Sequence, residues 1–127
     1  MIRTHLGIHA DLVGCPQSVE DGRAVVSLTA RDDMTADTRG LVHGGFTFGL
    51  ADYAAMLAIN DPHVVLGAAS TRFLAPVRVG QCMVATAEVQ EARGRKHTVN
   101  VTVCVDDKDV MTGVFTCFIL DHHVLDV

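Results

Sequence analysis

The sequence predicts an α+β domain in which one long buried helix is wrapped by a curved antiparallel sheet. Residues 44–59 contain two Leu, one Met and four Ala, a composition typical of a helix. Their apolar positions run around the whole circumference, which is typical of a helix buried on every side. After Pro62, segments with period-two alternation follow one another across short turns, which predicts antiparallel strands. We expect a single domain over residues 1–127.

The composition excludes several classes of function. The net charge is −5 and no long basic stretch is present, so nucleic-acid binding is not expected. Charged residues interrupt every apolar run before it reaches the length of a bilayer crossing, so we expect no membrane partner. The N-terminus lacks the apolar core of a signal peptide, and the four cysteines include no Cys-x-x-Cys pair. These features favour a cytoplasmic protein with reduced core thiols.

The first half of the chain contains three interpretable segments. Residues 8–13 could form a short helix or a strand. Residues 23–30 alternate apolar and polar side chains, which predicts a half-buried strand. The polar residues 32–37 then connect to the helix predicted over 44–59, which we expect to end just before Pro62.

The second half contains four predicted strands. The last of them is apolar on both faces, which indicates a central or covered strand. Because the turns between the strands are short, we expect a meander in which each strand pairs with the next. The four strands span residues 64–74, 83–90, 98–105 and 110–120.

Asp52 is the only charged residue in the predicted helix. At helical spacing it shares a line with Phe48 and Met56, so it has no polar face on which to lie. An ionised carboxylate is costly in such surroundings. Asp52 is therefore either a functional acid or a structural one bonded to neighbouring backbone or hydroxyl groups.

The start of the helix, His43-Gly44-Gly45, has two glycines where Ser, Thr or Asp caps are usual. Without side chains, a ligand can approach the first-turn N–H groups closely. These groups lie at the positive end of the helix dipole, which favours an anion or a developing oxyanion. His43 could cap the helix or bond a carbonyl.

The two features of the helix are too far apart to act on one carbonyl. Gly44 and Asp52 are separated by eight residues, or about 12 Å along the axis. If both belong to one site, they must come from two copies of the helix. This spacing predicts a two-fold homodimer.

The sequence also resembles a known family. An Asp-x-x-Gly-x-x-His-Gly-Gly motif ends at Gly45, and Phe48-x-Leu50-x-Asp52 follows it. Together with residues 72–80, these motifs resemble hotdog-fold acyl-CoA thioesterases of the PaaI and 4-hydroxybenzoyl-CoA type. The likeness covers roughly residues 23–120, and the helix and meander agree with the hotdog fold. Where the family often has Asn or Gln, this chain has Asp37.

The resemblance implies hydrolysis of an acyl-CoA thioester to a free acid and coenzyme A. In the family, the acid matching Asp52 is the base or nucleophile, and the backbone N–H matching Gly44 polarises the thioester carbonyl. We expect coenzyme A only as part of the substrate, no cofactor or metal, and a homodimer that could pair further into a dimer of dimers. The predicted catalytic residues are Asp52, Gly44 and His43. The predicted substrate-binding residues are Asp37, Gly45, Phe48, Arg72, Arg93, Arg95 and Lys96.

The sequence leaves several alternatives open. The basic turn at residues 93–97 could bind the nucleotide phosphates or could simply be solvated. A non-catalytic acyl-CoA-binding sensor would keep the Gly44 end of the helix but would have no use for Asp52. An enoyl-CoA hydratase would need a His and an acid, which Asp37 and His43 could supply. The acyl group, and the choice between base and nucleophile, are also open.

Overall fold

The computed structural model describes residues 1–126. It contains two α-helices, one short 3₁₀ helix and six strands. In chain order these are α1 (Ala10–Val13), β1 (Cys15–Glu20), β2 (Arg23–Thr29), a 3₁₀ turn (Asp32–Met34), α2 (Gly44–Ile59), β3 (Val64–Phe73), β4 (Cys82–Arg93), β5 (Lys96–Val105) and β6 (Lys108–Ile119). No helix within residues 1–126 has the length and hydrophobicity that a bilayer crossing requires.

The six strands form one antiparallel sheet in the order β1-β2-β4-β5-β6-β3. The inner face packs on α2 through alternating buried residues, such as Val99, Val101 and Val103 of β5. Phe115 of β6 and Leu50 of α2 are fully buried in the same core. The predicted α+β class, a long helix against a curved antiparallel sheet, is confirmed.

Helix α2 has the predicted bounds, Gly44–Ile59. Asn60 ends it in the left-handed conformation, with φ 55° and ψ 43°. Residues 53–58 are all buried, which confirms that the second half is enclosed on every side. The first half is more open, and five of the first six residues are half-buried or exposed. The N-terminus of α2 is therefore accessible to ligands.

The predicted meander is wrong at β3. This strand pairs with β6 at the far edge of the sheet, whereas β4 pairs with β2. The connection after Phe73 leads from β3, at the edge of the sheet, past β6 and β5 to β4. Within this connection, the carbonyl of Val77 accepts the N–H of Val42 at 2.9 Å. Alternation within a strand specifies its buried face, but it does not specify its neighbour. Strands β4, β5 and β6 do form the expected meander.

The N-terminal residues contain structure that the sequence did not predict, although residues 10–13 are helical, one of the two alternatives. Strand β1 lies at the sheet edge and tolerates Pro16 there. The Asn60 side chain binds the chain terminus, since its Oδ1 accepts the Arg3 N–H at 2.7 Å. Its Nδ2 donates to the Met1 carbonyl at 2.8 Å. One residue therefore ends α2 and fastens the N-terminal segment.

Candidate active site

The side chain of His43 caps α2. Its Nδ1 accepts the Gly45 N–H at 2.7 Å, and its carbonyl accepts the Phe46 N–H at 3.1 Å. Accepting at Nδ1 leaves the proton of a neutral imidazole on Nε2. Within residues 1–126, the structure gives the Gly44 N–H no hydrogen-bond acceptor. The first-turn donor available to a ligand is therefore the Gly44 N–H, at the positive end of the helix dipole.

Gly44 opens into a cavity of about 410 Å³. The cavity is lined mainly by apolar side chains, including Phe73, Pro76 and Val77. A Cβ atom at Gly44 would lie 3.3 Å from the Phe73 ring, so a larger residue would crowd the mouth of the cavity. Thr47, one turn further along α2, is a buried polar residue in the lining. Sequence reasoning missed Thr47, although a polar residue on an otherwise apolar helix was a usable signal.

Asp52 lies two turns along α2 and faces β6. One turn earlier, the Phe48 ring lies 5.5 Å from the Phe115 ring. Burial and the nearby Asp52 charge together raise the pKa of the Cys117 thiol to about 12, which places the carboxyl near that residue.

The Asp52 carboxyl is poorly compensated. Among buried side-chain nitrogen and oxygen atoms in residues 1–126, only its Oδ1 lacks a hydrogen-bond partner. Burial raises its pKa from 3.8 to about 6. The structural alternative, an acid bonded to neighbouring groups, does not account for the unpaired oxygen. Such a group is a candidate for chemistry with a ligand or a partner chain.

One chain does not bring Gly44 and Asp52 into the same cavity. The α2 residues that line the Gly44 cavity are Gly44 and Thr47, and Asp52 lies more than one further turn along the helix. The separation expected from the sequence is therefore present in the structure.

Asp37 shapes the loop before α2. Its Oδ1 accepts the N–H of Arg39 at 2.9 Å and the N–H of Leu41 at 3.2 Å. This Asx-type turn fixes the chain that leads to His43. Asp37 lines a small cleft beside the Gly44 cavity, and Arg39 and Arg78 line the same cleft. Sequence reasoning missed this arginine pair.

Arg72 lies apart from Gly44. It pairs with Thr112 of β6, which pairs with Thr102 of β5. Because paired residues share a face, and because Thr102 alternates with buried valines, Arg72 lies on the outer face of the sheet. It lines a separate depression there with Asn100.

The basic turn between β4 and β5 is also separate from the Gly44 cavity. The Arg93 guanidinium lies 2.7 Å from Glu91, and Arg95 is paired with Asp121. These side chains are exposed, so the ion pairs are weak and can exchange for another anion. Lys96 lines a small depression together with Arg93. Phosphate binding by the turn stays a prediction.

The fold and the open end of α2 define a hotdog-fold protein, and comparison with known families gives the same class. The family model described as the thioesterase superfamily matches residues 39–112. Since this is more than half of the sequence, the chain belongs to the thioesterase superfamily.

Two curated relatives match nearly the whole chain. Methylthioribose-1-phosphate isomerase of Aquifex aeolicus is 48% identical over 121 residues, which are 94% of this chain and 26% of that protein. Transcription factor FapR of Caldanaerobacter subterraneus subsp. tengcongensis is 32% identical over 125 residues, which are 98% of this chain and 62% of that protein. The chain therefore spans less than two thirds of either relative.

Two solved structures are close matches. The uncharacterised protein PH1136 of Pyrococcus horikoshii is 51% identical with a TM-score of 0.98, covering 99% of this chain and 97% of that one. A mutant of the phenylacetic acid degradation protein PaaI of Thermus thermophilus is 31% identical with a TM-score of 0.79. The PaaI match covers 86% of this chain and 95% of that one. The resemblance to PaaI-type hotdog proteins is confirmed.

Proposed function

We propose that this chain is an acyl-CoA thioesterase. The observation that carries the proposal is a pair of groups on α2 that have no hydrogen-bond partner within residues 1–126. They are the N–H of Gly44, which lies in a cavity lined mainly by apolar residues, and the buried Oδ1 of Asp52. Membership of the thioesterase superfamily supports the same reaction class. The apolar walls suit an acyl chain or the pantetheine arm, and the N–H suits the thioester oxygen.

In the proposed reaction, the thioester oxygen accepts a hydrogen bond from the Gly44 N–H. Negative charge that develops on this oxygen is stabilised by the N–H and by the helix dipole. In the first route, the Asp52 carboxylate takes a proton from water as the water oxygen attacks the carbonyl carbon; the C–S bond then breaks, and the thiolate takes up that proton. In the second route, the carboxylate attacks the carbon itself, and the C–S bond breaks as an anhydride forms. Water then hydrolyses the anhydride and supplies the proton for the thiolate. The products of both routes are the acid and coenzyme A.

The complete site requires a second copy of the chain. Strand β3 ends the sheet, and within residues 1–126 it pairs only with β6. Its residues 67–70 are exposed, and so is Phe73, which packs against Gly44. We propose that two β3 edges meet across a two-fold axis and bring Asp52 of the partner subunit toward Gly44. Two such dimers could pair into a dimer of dimers.

The test is the substitution Asp52→Asn, which keeps the shape and removes the base. Loss of a general base costs a factor of about 10² to 10⁴ in rate. Thiol release from a panel of short, medium and aryl acyl-CoAs would be measured, with Asp107→Asn in an exposed turn as the control. Hydrolysis at the parent rate by Asp52→Asn would remove Asp52 from the mechanism.

A second candidate function is favoured by the FapR relatives, which are named as transcription factors. A domain of that kind could bind an acyl-CoA without hydrolysing it, as a sensor. Such a domain would need the Gly44 cavity but not Asp52. Tight binding of acyl-CoA with no thiol release from any member of the panel would favour the sensor.

A further inference from the structure

A second cleft lies beside the Gly44 cavity and contains two arginines. It has a volume of about 190 Å³ and is lined by Arg39 and Arg78, with Leu41, Pro76 and Asp37. Pro76 also lines the Gly44 cavity, so the two depressions share a wall. A ligand that lies over Pro76 can occupy both.

The backbone under both arginines is held in place. Leu41 and Arg78 form an antiparallel bridge, and the Arg78 N–H donates to the Gln81 side chain at 2.8 Å. The N–H of Arg39 donates to Asp37 Oδ1. These bonds fix the chain on both sides of the cleft, and both arginines are exposed residues. A fixed scaffold lowers the ordering cost of binding.

The charges in this cleft are uncompensated by ion pairs. Within residues 1–126, neither Arg39 nor Arg78 has a carboxylate within 4.0 Å. In the basic turn, by contrast, Arg93 and Arg95 each have an acidic partner. Asp37 lines the cleft, but its Oδ1 accepts two backbone N–H groups. Two guanidiniums that line one cleft match the oxygens of a phosphate.

We infer that the Arg39–Arg78 cleft binds a phosphate of the nucleotide part of coenzyme A. The pantetheine arm then passes over Pro76 and delivers the thioester to the Gly44 N–H. Leu41 lies three residues before Gly44, which is at most about 10 Å of chain, so the arm can join the two sites. The identity of the ligand rests on the proposed function, while the anion site rests on the two arginines.

The test is the double variant Arg39→Gln/Arg78→Gln, studied by calorimetric titration with coenzyme A. Since a hydrogen bond to a charged group contributes about 1.5–3 kcal/mol, we expect the Kd to rise at least about tenfold. The matched control is Arg23→Gln/Lys108→Gln, which removes two positive charges elsewhere on the sheet and should leave the Kd within about twofold. Thermal unfolding would verify that both variants are folded.

Dephospho-coenzyme A identifies the phosphate. If parent and double variant bind this probe with the same Kd, the cleft binds the 3′-phosphate of coenzyme A. If the Kd of the variant is still higher, the cleft binds the pyrophosphate. Either result supports the site. An unchanged Kd in the double variant overturns it, and so does a parent that binds no coenzyme A. A loss of affinity confined to Arg93→Gln/Arg95→Gln would place the phosphate at the basic turn and would also overturn it.

Measurements of coenzyme A binding and of thioester hydrolysis distinguish a failure of this inference from a failure of the proposed function. Arginine-dependent binding of coenzyme A by a parent that hydrolyses no thioester would keep the anion site and reject the enzyme. Hydrolysis with the same KM in parent and double variant would keep the enzyme and reject the site. An acyl-pantetheine, which lacks the nucleotide, should show equal KM values for both proteins.

Discussion

The imidazole of His43 and the backbone of Gly45 form a hydrogen bond of 2.7 Å that caps helix α2 from within the His-Gly-Gly motif. The bond requires glycine at position 45, because a Cβ atom there would lie 2.8 Å from the His43 Nδ1. It also leaves the N–H of Gly44, a residue that lines the cavity, without an acceptor within residues 1–126. The motif therefore combines a cap with an open anion site.

The first prediction is that Gly45→Ala destabilises the protein. The new methyl group would displace the His43 ring, and loss of a cap costs about 0.5–2 kcal/mol. The free energy of unfolding would be measured by urea titration. Gly49→Ala is the matched control, since a Cβ at Gly49 meets no atom within 4 Å and the change should stabilise the helix by about 0.5–1 kcal/mol. Equal stabilisation by Gly45→Ala and Gly49→Ala would mean that the His43 cap contributes nothing to the free energy of unfolding.

The second prediction concerns Asp52 and stability. Its pKa is near 3.8 in the unfolded chain and about 6 in the folded one, so the folded state binds the proton more tightly. The stability from this proton is fully present below pH 4 and is lost as the pH rises through 6. Asp52→Asn should therefore raise the free energy of unfolding at pH 8 by up to about 3 kcal/mol, and the difference should vanish near pH 4. Denaturant titrations at both pH values check this, and a difference that does not change with pH would contradict it.

The third prediction concerns the pH dependence of catalysis. A base or nucleophile at Asp52 must be ionised, so kcat/KM should rise about tenfold per pH unit below 6 and level off above it. The profile should be recorded between pH 5 and pH 8, where the protein is verified to be folded. Residual activity of Asp52→Asn should lack this inflection. The same inflection in that variant would assign it to another group.

Much of the fold could be predicted from the sequence because the relevant signals are local. The bounds of α2 follow from its composition and from Pro62, and the strands after it follow from their alternation. The neighbour of β3 could not be predicted, because pairing with β6 depends on a crossing connection that periodicity does not encode. Strand β1 was missed because its segment carries Pro16 and alternates weakly.

Some residues of the candidate site could likewise be predicted from the sequence, and others could not. Gly44 and Asp52 are visible in the sequence because glycines at a helix start and a lone acid on an apolar helix break local rules. The Arg39–Arg78 cleft joins two loops that are distant in sequence, so no spacing indicates it. The sequence predicts that α2 ends near Asn60, but the hydrogen bonds of the Asn60 side chain were likewise invisible, since its partners Met1 and Arg3 lie at the other end of the chain.

The fourth prediction tests whether the site is shared between two subunits. Asp52→Asn removes the base, and Gly44→Pro removes the N–H that would hold the oxyanion, so each variant alone should be inactive. Each mixed dimer would contain one intact site, with Gly44 of one subunit facing Asp52 of the partner subunit. After random reassortment about half of the dimers are mixed, so activity should return to about a quarter of the parent level.

The mixed dimer can be isolated with two different affinity tags and assayed for thiol release. Gly44→Ala provides a control for folding, because it retains the N–H and crowds only the Phe73 ring, at 3.3 Å. A Gly44→Pro protein that melts with the same cooperativity as Gly44→Ala is folded well enough for the test. Because the two groups lie about 12 Å apart on one rigid helix, activity within a single chain would require a different geometry. A purified mixed dimer without activity would therefore reject the shared site, even if each group proved essential by itself.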